Sequence, residues 1–271
     1  MSSGLSSLHA YAHRGGRDIV VVERLAKHLE EGAYYAYTMA RVKSVELGKA
    51  ALLAGLLHDV GKALKLYQQC MLVGQGGECL YTAHEVASAL IAEKILRDLH
   101  VIDHVHKGYV LWAVLYHHQA MGSPLKRLDR LVKSVKSVDT EMFSVDNRLG
   151  NEIANAIESL CQRVDPGVRD VVEDLKRAVK DLDWYTLGVE VAKVFSNLDK
   201  MVVEHVWRDV VKQVSRHVRM VELRDELLCR VLTGIVILSD IYTASRSRAD
   251  RERHLLASCL ERYLRFLEFS M

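Results

Sequence analysis

The scarcity of chain-breaking residues is the feature that most constrains the fold of this sequence. Only 2 prolines and 16 glycines occur in 271 residues. A sandwich or barrel of many short strands needs turn residues at nearly every strand end, so this composition argues against both. Apolar residues recur instead at three- and four-residue spacing, which is typical of amphipathic helices. The sequence therefore predicts an all-α fold.

The apolar pattern divides the chain into successive helices. The first is predicted over about 19–42 and the second over 45–60, where AALLAGLLHDV is apolar on nearly every side and indicates a buried helix. Further helices are predicted over about 83–99, 103–118, 221–246 and 251–269. We expect a single domain over 1–271, with a core of about 11–124 and 220–271 and a helical insertion of about 125–219.

Charge and cysteine content narrow the classes of function. Lys and Arg total 37 and Asp and Glu 35, and the net charge of +2 gives no global attraction to nucleic acid or to an anionic membrane. No apolar stretch has the length of a membrane span, and the amino terminus lacks the apolar core of a signal peptide. The 5 cysteines show no CxxC spacing, which argues against a thiolate zinc site. We expect a cytoplasmic protein with no membrane partner.

The segment LLHDVGK, residues 56–62, is the sharpest local motif. His58 and Asp59 are adjacent at the end of a strongly apolar helix, where an unpaired charge is costly to bury. An imidazole and a carboxylate at this position suit a metal site. The alternative is an ordinary helix end, where His58 interacts with the helix dipole and Asp59 caps a loop.

Other ionisable residues interrupt apolar helices in the same way. His28 lies in RLAKHLEEG, His84 in AHEVASA, the pair His117 and His118 ends AVLYHH, and Asp240 lies in GIVILSDIYTASR. Each one alone is more often a satisfied core or cap residue. Together they favour a shared site, because buried ionisable groups need partners and these are one another's best candidates.

This ordered series resembles the HD-domain metal-dependent phosphohydrolase superfamily. The blocks LAGLLHDVGK, AHEVASA and AVLYHHQAM, with the later Asp240, are most similar to the stand-alone CRISPR-associated HD nuclease of type I systems. The resemblance covers about 11–121 and 238–246. No GxxxxGK[ST] phosphate loop is present, so a helicase would be a separate subunit.

The resemblance implies an all-α HD-domain helical bundle and a pair of divalent ions, drawn from Mn, Co, Ni, Fe or Mg. Two ions can activate a shared water and clamp phosphoryl oxygens. Asp59 and Lys62 are the implied catalytic residues, with Lys62 placed to reach a non-bridging phosphate oxygen; a solvated lysine at a helix end is the alternative. The implied ligands of one ion are His28, His58, Asp59 and Asp240, and those of the other are Asp59, His84, His117 and His118.

Two local basic stretches suggest how a nucleic acid would be bound. One follows the paired histidines and the other follows Asp240, so a polyanion could pass both on its way to the metals. An ordinary solvated face is the alternative reading of such charges. The candidate nucleic-acid-binding residues are Lys126, Arg130, Lys133, Arg246 and Arg248.

The sequence thus predicts an HD nuclease that cleaves single-stranded DNA in CRISPR interference, with RNA as an open second substrate. By the same resemblance, its partners would be the separate CRISPR helicase subunit and the RNA-guided surveillance complex. An HD phosphohydrolase acting on a dNTP, a cyclic nucleotide or an alarmone is the first alternative. A non-catalytic scaffold subunit is the second.

Overall fold

The computed structural model describes residues 7–15, 18–73, 83–118, 126–127, 129–130, 140–196, 223–247 and 262. Helices dominate this part of the chain, which confirms the predicted all-α fold class. The closing helix predicted over 251–269 lies outside the described residues except for 262. In chain order the helices are α1 Leu25–Ala40, α2 Val45–Leu57, α3 Lys65–Val73, α4 His84–Arg97, α5 His104–Tyr116, α6 Leu149–Cys161, α7 Arg169–Asp181, α8 Trp184–Ser196 and α9 Leu223–Ser247.

A two-stranded antiparallel sheet precedes the helices. Strand β1 spans His9–Gly15 and strand β2 spans Asp18–Arg24. The helix predicted over 19–42 is therefore wrong at its start, since helix α1 begins only at Leu25. The reason is the run of four β-branched residues at 19–22, which favours extended backbone even though its apolar character also fits a helix.

Helices α1 and α2 approach closely because glycines meet at their crossing. A Cβ on Gly55 would lie 2.7 Å from the carbonyl oxygen of Gly32, so α2 has no room for a side chain at this position. Helix α2 is buried from Leu47 to Leu57, as its apolar sequence predicts. Because the contact lies within one turn of both His28 and His58, it brings the two histidines together.

Two of the later helices, α5 and α9, pack against α2. Helix α5 packs against α2 and α4, and α9 packs against α1, α2 and α5. Residues 140–196, which fall within the predicted insertion, form α6 to α8 and join the same continuous apolar core. On α6, the buried Glu152 accepts hydrogen bonds from Leu8 N at 3.0 Å and Ala26 N at 3.1 Å, so this helix holds the hairpin and the start of α1.

Helix α9 is long and contains an extended apolar stretch. Within the described part of the chain, its residues Asp225–Arg246 are long and apolar enough to cross a membrane by length and composition alone. The core helix of a soluble protein passes the same test, and α9 packs against three other helices. This helix therefore does not establish a membrane protein, and the cytoplasmic location stays a prediction.

Candidate metal centre

The seven residues predicted as metal ligands come from five places in the fold and lie together. His28 is on α1, His58 and Asp59 follow α2, His84 begins α4, the paired histidines follow α5, and Asp240 is on α9. In each of two groups, one potential ligand atom per residue lies within 4.8 Å of all the others. The groups are His28, His58, Asp59 and Asp240, named here the His28 group, and Asp59, His84, His117 and His118, named the His84 group.

Asp59 belongs to both groups and directs one carboxylate oxygen into each. Its Oδ1 lies 2.8 Å from His84 Nε2 and 3.5 Å from His117 Nε2. Its Oδ2 lies 2.9 Å from His28 Nε2 and 3.4 Å from His58 Nε2. Asp59 could therefore serve as a ligand in both groups, as the family resemblance implies.

In each group, one member is more exposed to solvent than the others. His28 and His58 are fully buried, whereas the side chain of Asp240 is 19% exposed and its Oδ1 lies 3.3 Å from His28 Nε2. In the His84 group the more open member is His118, whose Nε2 lies 3.0 Å from His84 Nε2. A substrate phosphate would therefore approach past Asp240 and His118.

The second ring nitrogen of several histidines is fixed by a hydrogen bond. His58 Nδ1 donates to Gly55 O at 2.7 Å and His117 Nδ1 donates to Val114 O at 2.6 Å. Both acceptors are carbonyls three residues earlier, which the helix ends supply. A proton held on Nδ1 leaves the lone pair of Nε2 facing the centre, which is the tautomer that a metal ligand needs.

Burial keeps the imidazoles of the His84 group neutral. It lowers the pKa of His84 to about 4, and it lowers the pKa of His117 and of His118 below the ordinary value of 6.5. Neutral imidazole is the form that binds a metal ion, whereas imidazolium has no lone pair to offer. The three side chains are thus in their ligating form at pH 7.

In the His28 group, by contrast, the surroundings favour a positively charged imidazole. Burial alone would lower the pKa of His28, but hydrogen bonds with Asp240, Asp59 and Glu23 raise it well above 6.5. Burial would also raise the pKa of Asp59, yet Lys62 and the surrounding histidines hold it well below 3.8. Three carboxylates around one imidazole favour positive charge at this position. A divalent cation would satisfy the same demand.

Unpaired buried atoms give a direct test of whether an ion fits. Among the buried atoms of the described residues that have no hydrogen-bond partner are His58 Nε2 and His117 Nε2. Such atoms cost about 1–3 kcal/mol each when nothing satisfies them. Both belong to the ligand groups, and imidazole with carboxylate suits Mn²⁺, Fe²⁺, Co²⁺ or Ni²⁺. The residues present therefore fit divalent ions.

Lys62 lies inside the site. Its side chain is 9% exposed, and its Nζ lies 2.5 Å from Asp59 Oδ2. The alternative of a solvated lysine at a helix end is therefore wrong. Contact between Lys62 and a phosphate oxygen stays a prediction.

The candidate nucleic-acid-binding residues are only partly within the described residues. Lys126, Arg130 and Arg246 are exposed, and the guanidinium of Arg246 donates to Tyr35 Oη at 2.8 Å. Lys133 and Arg248 lie outside the described residues. Binding of nucleic acid by these side chains stays a prediction.

Sequence reasoning missed the acidic residues that support the centre. Glu23, on β2, lies 2.9 Å from the outer nitrogen of His28, and Glu85, next to His84, pairs with the buried Arg127 at 3.2 Å. Acidic residues near helix starts are common, so nothing in the sequence distinguished these two. Only their burial, at 5% exposed for Glu23 and 0% for Glu85, marks them as exceptional.

The comparison with known families agrees with this geometry. The HD domain profile matches residues 25–185, which is more than half of the chain and includes six of the seven residues of the two groups. No curated protein and no solved structure matches the chain. The match begins where α1 begins and ends in α8, so it spans the helices that carry His28 through His118. The chain belongs to the HD-domain family of metal-dependent phosphohydrolases.

Proposed function

We propose that this protein is a metal-dependent nuclease that hydrolyses phosphodiester bonds of single-stranded DNA in CRISPR interference. RNA is a second candidate substrate. The observation that carries the proposal is the pair of ligand groups that share Asp59. Two adjacent cation sites suit in-line displacement at phosphorus, because both the attacking and the leaving oxygen need stabilisation.

Bound divalent ions would supply Lewis acidity, lowering the pKa of a water and neutralising charge on the phosphoryl oxygens. The chain's own residues provide the rest. Asp59 holds the two groups at a fixed separation through its two oxygens. Lys62, buried beside Asp59, adds a positive charge that would attract a non-bridging phosphate oxygen.

A polymeric substrate is favoured by the cationic residues that follow the more open members of the two groups in the chain. Arg246 lies on α9 after Asp240, and Lys126 and Arg130 follow the paired histidines in the chain; all three are exposed. A nucleic-acid backbone carries repeated phosphates, so cations on both sides of a cleavage site increase affinity for a strand more than for one nucleotide. The separate helicase and the surveillance complex are the partners we propose, and a cytoplasmic location accords with them.

A cleavage assay tests the proposal. Labelled single-stranded DNA is incubated with wild type, Asp59→Ala and Glu158→Ala in Mn²⁺, Co²⁺ or Ni²⁺. Glu158 is the matched control, an acidic residue of α6 whose side chain is 63% exposed. Since even outer-shell changes cost about 10–100-fold in activity, we expect Asp59→Ala to lose at least about a hundredfold and the control to cleave like wild type.

This assay, a nucleotide panel and a metal analysis together separate the alternatives. Equal cleavage by wild type and Asp59→Ala, or none by either with any metal, would refute the nuclease. Rapid phosphate release from one member of a panel of dNTPs, cyclic nucleotides and alarmones, with DNA intact, would establish the small-nucleotide phosphohydrolase instead. Absence of bound metal after purification in its presence would favour the scaffold.

A further inference from the structure

Glu23 belongs to neither ligand group, yet it contacts a member of one. It lies on β2, two residues before α1 begins, and is 5% exposed. Its Oε1 lies 2.9 Å from His28 Nδ1, while the other ring nitrogen, Nε2, lies 2.9 Å from Asp59 Oδ2. The imidazole of His28 is thus held between two carboxylates on opposite sides of the ring.

This arrangement distinguishes His28 from the other histidines whose outer nitrogen is fixed. His58 and His117 donate to backbone carbonyls, at 2.7 Å and 2.6 Å, which are neutral acceptors. A carboxylate carries a full negative charge, so its hydrogen bond is stronger and makes the opposite nitrogen of the ring a better electron donor. Of these three histidines, His28 is the one whose outer nitrogen faces a carboxylate.

The His28 group also contains more carboxylates than the His84 group. The His28 group contains the carboxylates of Asp59 and Asp240 and is backed by that of Glu23. The His84 group contains three imidazoles and shares only Asp59. A divalent cation is attracted more strongly where more negative charge surrounds it.

We propose that Glu23 is a positioning residue that holds His28 with its proton on Nδ1 and thereby makes the His28 group the tighter of two non-equivalent ion sites. The inference rests on the metal centre of the proposed function. It adds that the two ions bind with different affinities and that the ion of the His84 group is the first to be lost.

Co²⁺ titrations in two backgrounds test this, with bound Co²⁺ followed by its visible absorption. His118→Ala disables the His84 group and leaves the His28 group; Asp240→Ala does the reverse. In the His118→Ala background we expect Glu23→Gln to weaken Co²⁺ binding about 10–100-fold. In the Asp240→Ala background, Glu23→Gln should change Co²⁺ affinity by no more than about twofold relative to Asp240→Ala alone. The reason is that the contact of Glu23 with His28 lies outside the His84 group, and changes at sites without shared contacts add independently.

Glu152→Gln is the structural control. Glu152 is a buried acid that anchors the same hairpin and the same start of α1, through Leu8 N and Ala26 N, at a different point of the fold. We expect Glu152→Gln to lower the thermal unfolding midpoint while Co²⁺ affinity stays near that of wild type. If it weakens Co²⁺ binding as much as Glu23→Gln does, general loosening explains the effect and the proposal is overturned.

The Nδ1 proton of His28 provides a readout that needs no activity. In ¹H–¹⁵N spectra of the protein saturated with diamagnetic Zn²⁺, we expect this proton to give a slowly exchanging signal in wild type, because Glu23 Oε1 accepts its hydrogen bond, and to exchange rapidly with water in Glu23→Ala. An unchanged Nδ1 proton signal, or equal weakening of Co²⁺ binding in both backgrounds, overturns the role of Glu23. Wild type that binds no Co²⁺ overturns the metal centre as well, whereas Co²⁺ binding without DNA cleavage overturns only the nuclease.

Discussion

Replacement of Gly61 by alanine should separate two elements that meet at the metal centre. Gly61 lies in the turn after Asp59, and a Cβ there would stand 2.1 Å from His84 O and 2.6 Å from Ser88 N. Real Cβ atoms essentially never approach other atoms closer than 3.0 Å, so the turn and α4 must part by nearly an ångström. Both atoms belong to the backbone of α4, which cannot move aside as the end of a flexible side chain can.

The cost follows from two contributions. Overpacking of a tight contact costs about 1–3 kcal/mol. The separation also lengthens the hydrogen bond from Gly61 N to Ser88 Oγ, now 2.8 Å, which is worth about 1 kcal/mol. Gly61→Ala should therefore lower the free energy of unfolding by about 2–4 kcal/mol, measured by urea denaturation. It should also weaken Co²⁺ binding, because the 2.8 Å contact between Asp59 and His84 spans the same junction.

Gly234→Ala is the matched control. Gly234 lies within α9 and has no atom within 4 Å of the position of a Cβ. Alanine there should stabilise the protein by about 0.5–1 kcal/mol, because glycine is the poorer helix former. A wild-type urea midpoint for Gly61→Ala, or a change of the same sign in both variants, would refute the reasoning.

Three further predictions concern charge and metal. Lys62→Gln should reduce DNA cleavage about 10²–10³-fold with little loss of Co²⁺ affinity; parallel losses would show that Lys62 acts only through Asp59. Burial lowers the pKa of His9 below 6.5, so the unfolded chain takes up that proton first and stability falls as the pH drops below 6.5. A His9→Leu variant should therefore lose less stability than wild type between pH 7 and 5 in urea titrations, by up to about 1.4 kcal/mol per pH unit; parallel curves would contradict this. Removal of divalent ions with EDTA should lower the thermal unfolding midpoint, and Mn²⁺ should restore it, since an ion at 100 times its Kd adds about 2.7 kcal/mol; an unchanged midpoint in calorimetry would show that no ion was bound.

The two ligand groups could be predicted because their members break the apolar pattern. His58 and Asp59 end a helix that is apolar on nearly every side, and Asp240 stands in a similar run. Such residues are costly to bury singly, so each requires a partner of the same kind. The order of the histidines along the chain resembles that of a known family, and this resemblance assigned each residue to one of the two groups.

The hairpin and the supporting acids could not be predicted, for physical reasons. Residues 19–22 are apolar in a row, and the periodicity of such a run does not distinguish a strand from a buried helix, although its β-branched side chains favour a strand. The role of Glu23 depends on the strand that places it against His28, and the role of Glu152 depends on backbone groups that lie more than a hundred residues earlier. Tertiary contacts between distant segments leave no periodic pattern in the sequence.

The late position of Asp240 in the chain means that the two ligand groups acquire all their residues at different times during synthesis. Six of the seven residues of the ligand groups lie before residue 119, so the His84 group can be complete when α5 has left the ribosome, whereas the His28 group waits for α9. Synthesis proceeds from the amino terminus, so the residues before 119 leave the ribosome before α9 does. A growing or prematurely terminated chain would thus hold at most one complete group. If the proposed cleavage needs both groups, the nascent protein cannot cleave nucleic acid until α9 has docked.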